Sequence, residues 1–333
     1  MDSELLNSQV RVVTIMRGLA AGQILTMDQM AEAIHRMQKL VGCGVFHVQS
    51  IWLFTRSDLK TIVIPQSAFG IINAIASSND WPEVLSRVPM VFFWVWINLL
   101  PFAIDNQRQA EAILEDRHNK PWRTMPSQRM TEAQARILML LLYPVSLFTS
   151  LRLGGTRQCL ALMVLGYGYN DLNLADRSWI SRNVINALGF CSFASGALEV
   201  AMHSPLSFSG ENNQTVVKWL AMIGGIVFST VQTQDMADQV GDSSRGRKSM
   251  PLALGDGPAR WMIAIPMVGW SIVCPWFWGA GAVVHVVAAF SGLLIACRTL
   301  TWRSIEADKR TFQLWNLWMA GLYTLPLLSA GGR

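Results

Sequence analysis

The chain has 333 residues, 51% of them hydrophobic and only 15% charged, with a net charge of +5. Soluble proteins carry about a quarter charged residues, so this composition argues against separate soluble domains and for one helical bundle in a lipid bilayer. The five cysteines lack metal-ligand spacing and the five histidines form no HxxxH or HExxH pair, which argues against zinc chemistry.

Residues 1–50 read as an N-terminal amphipathic, cytosolic segment lying on the membrane surface, with no cleavable signal peptide. Residues 51–333 read as a single transmembrane catalytic domain. Apolar windows of roughly twenty residues predict nine spans, at 58–76, 89–109, 136–153, 157–173, 183–203, 215–234, 259–275, 277–297 and 312–329. Ser57 and Asp58 read as the cap of the first. Pro65, Pro144, Pro266 and Pro326 fall inside spans, where neighbouring helices compensate for the lost hydrogen bonds. Apart from Arg87, Arg152, Arg157, Lys218 and Arg333, every Lys and Arg falls on one side of this topology. The positive-inside rule makes that side cytosolic, and the asymmetry accounts for the net charge without nucleic acid. Asn213 and Thr215 form a glycosylation sequon on the far side, abutting the sixth span, where modification is not expected.

Two long cytosolic connections, 110–135 and 235–258, carry the charged motifs. The first motif is INLLPFAIDNQRQAEAILEDRHNKPWRTMPSQRMT, following the second span. On one continuous helix Asp105, Gln109, Ala112 and Asp116 share a face, with Glu115 about a third of a turn away and Asn106 on the opposite shoulder. Lys120 and Arg123 come after it, beside a Pro121-Trp122 stop.

The second is DMADQVGDSSRGRKSMP, residues 235–251. Asp235, Asp238 and Asp242 stand at i, i+3 and i+7, on one helix face, and Arg245, Arg247 and Lys248 follow. At about 5 Å and an effective dielectric near 20, each like-charged pair costs roughly 3 kcal/mol. Divalent cations remove that cost and favour phosphate oxygens as co-ligands, while the bases suit the remaining diphosphate charge. Two such segments at one membrane face point to a Mg²⁺–diphosphate site. A phosphate-loop reading of GDSSRGRKS fails, because Arg247 intrudes and no strand precedes it.

The second motif resembles the D-x-x-D-x-x-x-D box of the UbiA superfamily of intramembrane prenyltransferases, including its trailing G-R-K-[ST]-x-P: Asp235, Asp238, Asp242, Gly246, Arg247, Lys248, Ser249 and Pro251 match. The first resembles the superfamily's other acid box and its K-P-x-R but departs from it, with Arg108, Gln109 and Ala112 at the expected Asn, Asp and Asp. Its N-Q-R…E-D-x-x-N-K-P-W-R, carried by Asn106, Gln107, Arg108, Glu115, Asp116, Asn119, Lys120, Pro121, Trp122 and Arg123, is most similar to fungal UbiA-type membrane-bound terpene cyclases.

The resemblance implies an all-α bundle of about nine transmembrane helices around a central cavity. It implies Asp116, Asp235, Asp238 and Asp242 as catalytic metal ligands, with Asn106 and Glu115 supporting them. Lys120, Arg123, Arg177, Arg182, Arg245 and Lys248 are implied as diphosphate contacts. The expected activity is Mg²⁺-dependent cyclisation of geranylgeranyl or farnesyl diphosphate to a terpene hydrocarbon, in the endoplasmic reticulum with the site facing the cytosol. The alternative is transfer of the isoprenyl group to an aromatic or lipid acceptor. A transporter would place carboxylates along a mid-membrane path, not at one mouth. Most of the 14 Trp and 14 Phe read as packing or interface belts, and Tyr167, Tyr169, Asn170 and Asn186 as interhelical hydrogen-bonding groups.

Overall fold

The computed structural model describes residues 27–77, 80–207 and 211–330. Residues 1–26 and the Asn213 side chain lie outside the described residues, so the readings placed on them rest on sequence alone. The described chain is helical: α1 Met27–Thr55, a π-helical turn Leu59–Val63, α2 Ile64–Ser77, α3 Trp81–Ser86, α4 Val88–Arg108, α5 Ala110–Asn119, α6 Glu132–Leu153, α7 Thr156–Asn170, α8 Leu174–Arg177, α9 Trp179–Met202, α10 Glu211–Thr230, a 3₁₀ turn Val231–Thr233, α11 Asp235–Arg245, α12 Met250–Leu254, α13 Asp256–Phe277, α14 Ala282–Thr301, α15 Ile305–Tyr323 and α16 Leu325–Ala330.

The chain divides into two compact units after Leu53. In the first, α1 exposes Met30, Ile34, Met37, Val41, Val45, Val48 and Trp52, a stripe at helical spacing. The second unit holds the spans. Among the described residues six helices are long and apolar enough to cross a membrane: 59–77, α4, α6, α9, 214–233 and α14. The other three predicted spans coincide with α7, α13 and α15. At 15 residues α7 is short, while α13 opens on Asp256 and Arg260 and α15 on Glu306, Asp308, Lys309 and Arg310.

Local chemistry sets several helix starts. Thr131 and Gln134 form a reciprocal capping box at the head of α6, and Ser178 and Ser304 cap α9 and α15. At the first span Asp58 occupies the cap position but its side chain makes no capping bond. Ser57 turns elsewhere, accepting from Arg123 Nη2 at 2.6 Å.

Helix α9 runs through the middle, packing on α2, α4, α7 and α10. Its contact with α4 is closed by Trp94, which is fully buried and donates to Ser150 Oγ at 2.9 Å. A Cβ at Gly196 or Gly155 would overlap the Trp94 ring, so glycine at both positions admits the indole between the helices. Near the N-terminal end of α13 the buried Arg260 grips both oxygens of Asp308 at 2.9 and 2.8 Å and donates to the Thr299 carbonyl at 2.7 Å. One guanidinium thus ties α13, α14 and α15 together.

Candidate active site

The first acidic region is not one helix. α4 stops at Arg108, Gln109 is extended (φ −74°, ψ 149°), and α5 restarts at Ala110. The end of α4 is pinned to the end of α7. Arg108 donates to Asp105 at 2.7 Å and to Asp171 at 3.1 Å, and Gln109 donates to the Asn170 carbonyl at 3.4 Å. These ties redirect the chain, so the expected continuous face from Asp105 to Asp116 is corrected to two segments.

Helix α5 rests on α11. The Asn119 side chain covers Gly241 so closely that a Cβ there would overlap it. This contact brings Glu115 close to Asp242, the two sharing the Arg247 guanidinium. The i, i+3, i+7 spacing holds on α11, which ends at Gly246 in the left-handed conformation (φ 75°). That turn folds Arg247 back, its amide donating to the Asp242 carbonyl at 2.9 Å.

Arginines occupy the gaps between the acids. Arg247 donates to Asp242 at 2.9 Å, to Glu115 at 3.2 Å and to Asp176 at 2.8 Å. Arg245 bonds the other oxygens of Glu115 and Asp176 at 3.2 and 2.9 Å. Arg123 Nη1 reaches both oxygens of Asp116 at 2.9 and 3.0 Å. Arg182 pairs with Asp235 at 2.9 Å and donates to the Tyr169 hydroxyl. Asp238 and Lys120 are half-buried, Lys248 and Arg177 exposed. Among the described residues the side chains of these four show no ion pair.

These contacts set the acids apart electrostatically. Burial pushes the Glu115 carboxyl up, but Arg247, Arg245 and Lys120 outweigh it and hold the group below its ordinary value. Asp176 is likewise held down by Arg247 and Arg245 against burial. For Asp116, Asp235 and Asp242 burial prevails over the neighbouring guanidinium groups, and the carboxyls are raised.

Among the described residues no three acidic, His or Cys side chains converge as a ready-made metal cage. The donor set still suits a hard cation. Asp242 Oδ2 and Asn106 Oδ1 are buried without a hydrogen-bond partner; Ser249 Oγ, beside Asp242 and also unpartnered, lies outside bonding geometry. With the unpaired Asp238 they offer oxygen ligands of the kind Mg²⁺ takes.

Sequence reasoning missed Asp176, a lone acid between spans, and the bridging position of Arg247. It also read Tyr169 only as a hydrogen-bonding group. Tyr169 does accept from Arg182, yet its ring also lines a narrow cavity of about 70 Å³ between α4, α7 and α9. Phe102, Phe190, Phe193, Asn98 and Asn186 face the same space, and Phe102 meets Tyr169 edge-on at 5.4 Å. Tyr167, by contrast, is exposed. One tyrosine thus touches both the acid–arginine cluster and the aromatic cavity.

Known proteins resemble the chain in sequence and fold. The chain is 27% identical over 300 residues to a fumagillin beta-trans-bergamotene synthase of Aspergillus fumigatus, covering 87% of this chain and 97% of that protein. It is 26% identical over 286 residues to a somaliensene A/B synthase of Streptomyces somaliensis, covering 82% and 92%. Its fold matches a UbiA homolog from Archaeoglobus fulgidus, solved bound to GPP and Mg²⁺, with a TM-score of 0.56 at 12% identity, covering 84% of this chain and 99% of that one. The UbiA prenyltransferase family matches residues 103–318, and the chain is a multi-pass membrane enzyme belonging to that family.

Proposed function

We propose that this enzyme is a Mg²⁺-dependent terpene cyclase that ionises a linear isoprenyl diphosphate, geranylgeranyl or farnesyl, and closes the carbocation into a hydrocarbon. The observation that carries the reading is the path from Asp235 through Arg182 to Tyr169, which joins the acid cluster to the aromatic cavity. Sequence likeness to two terpene synthases supports it, as does the fold shared with a protein solved with GPP and Mg²⁺.

Asp116, Asp235, Asp238 and Asp242, with Asn106 and Glu115 beside them, would hold Mg²⁺, which supplies Lewis-acid help to a departing diphosphate. Among the described residues the side chains of Lys120 and Lys248 make no ion pair, which would leave them open to diphosphate oxygens. Arg123, Arg182 and Arg245, each bound to a carboxylate, would give the mouth a fixed positive field and keep its acids ordered. Arg177 would approach only a group outside the mouth, since it is exposed.

The hydrocarbon tail would lie in the cavity, where the faces of Phe102, Tyr169, Phe190 and Phe193 favour a cation by about 0.5–2 kcal/mol each. Those walls exclude water, so the chain's own double bonds would be the nearest nucleophiles. By the charge asymmetry of the loops the mouth faces the cytosol, and we assign the membrane to the endoplasmic reticulum.

The test is incubation of purified enzyme with each diphosphate and Mg²⁺ in the absence of any acceptor. Cyclisation predicts a volatile terpene by gas chromatography together with inorganic diphosphate. Release only when an aromatic or lipid acceptor is added would overturn it in favour of prenyl transfer.

A further inference from the structure

Helix α9 turns Asn186, Gly189, Phe190 and Phe193 towards the cavity. Three of these have evident roles as walls; the glycine does not. Glycine is the poorest helix former after proline, so one in the middle of a span calls for a reason.

At four other positions in the bundle the reason is a neighbour, whereas a Cβ at Gly269 or Gly321 would meet no atom within 4 Å and these two line no part of this cavity. A Cβ at Gly70 would overlap the Ala197 backbone, at Gly196 the Trp94 ring, at Gly225 the Trp270 ring and at Gly292 the Ser271 side chain. At Gly189 an added Cβ meets no atom within 4 Å, and its backbone lies in ordinary helix. Neither packing nor conformation requires glycine there. Its effect is to leave open space on the cavity wall, between Asn186 and Phe193.

We propose that Gly189 sets the depth of the hydrocarbon cavity and with it the longest isoprenyl chain the enzyme accepts. A larger side chain would enter the cavity that Phe102, Phe190 and Phe193 also line and take up room needed by a longer tail. The inference rests on the isoprenyl diphosphate reading above but not on whether the tail is cyclised or transferred.

The experiment compares full-length wild type with Gly189→Ala, Gly189→Leu and Gly189→Phe on geranyl, farnesyl and geranylgeranyl diphosphate with Mg²⁺. Diphosphate release and ligand-induced thermal stabilisation are both recorded. The alanine variant is expected to unfold at a higher temperature than wild type, since it gains helix propensity without a clash. Leucine and phenylalanine are expected to lower kcat/KM for the longest accepted chain relative to the shortest by at least about tenfold. Retained turnover of the short chain shows that these variants fold. An unchanged ratio in both overturns the inference and places Gly189 on the lipid side. Should wild type release no diphosphate without an acceptor, the cyclase reading fails by itself. The length dependence of thermal stabilisation then decides the question for Gly189, and no difference between wild type and the phenylalanine variant overturns it.

Discussion

Asn119 lies over Gly241, so the helix carrying Glu115 and Asp116 sits on the helix carrying Asp235, Asp238 and Asp242. The absence of a single side chain on α11 lets two acid segments, far apart in sequence, share one mouth.

Gly241→Ala should therefore change sign with its background. Overpacking against Asn119 costs about 1–3 kcal/mol, offset by up to ~1 kcal/mol of helix propensity. In wild type the substitution is expected to lower the thermal midpoint. With Asn119→Ala alongside, only the propensity gain remains and the midpoint should rise. A double-mutant cycle by thermal unfolding reads the coupling directly; additive effects would count against the contact.

Arg182 is the buried partner of Asp235 and also holds the Tyr169 hydroxyl. Arg182→Ala leaves a buried carboxylate without its counter-ion, which costs about 3–5 kcal/mol, and diphosphate release should be lost with it. Tyr169→Phe keeps the ring and removes one hydrogen bond, worth about 1 kcal/mol. It should retain most turnover, measured against Tyr169→Leu, which loses the aromatic face as well.

Asp238 and Asp242 should separate stability from metal use. Asp238 has no ion-pair partner, so Asp238→Asn is expected to move stability by less than about 0.5 kcal/mol while raising the Mg²⁺ concentration needed for half-maximal release. Asp242→Asn disturbs the pair with Arg247 and should lower both the thermal midpoint and the turnover. Titrations of Mg²⁺ alongside unfolding scans test the contrast.

Asp176 contributes, with Glu115, to the acid-side pH dependence of stability. Arg247 and Arg245 hold its carboxyl below the ordinary value in the folded protein. Its stabilising contribution is present above the unfolded value near 3.9 and is lost as the pH falls through the lower folded value. Asp176→Asn should lower stability at neutral pH and flatten the loss below about pH 4. Thermal midpoints measured across that range check the sign.

Much of this was legible in sequence because the signals were local. Long apolar runs marked the spans, and a one-face aspartate spacing marked α11, where 3.6-residue periodicity suffices. The break at Gln109 was hidden, because the ties from Arg108 to Asp171 and from Gln109 to Asn170 come from another span. Asp176 was missed for the same reason, since one acid in a short connection acquires its meaning only when Arg245 and Arg247 fold onto it. Tyr169 was read half correctly. Its hydrogen bond could be expected from its depth, but which face of α7 meets the chamber depends on how α4 and α9 pack against it.

Trp94 has a consequence beyond packing. It lies one turn before Asn98, which lines the cavity, and two glycines let the indole fill the space between α4 and its neighbours. On the proposed reading, a carbocation held beside Phe102 would be screened on that side by a fully buried ring rather than by water.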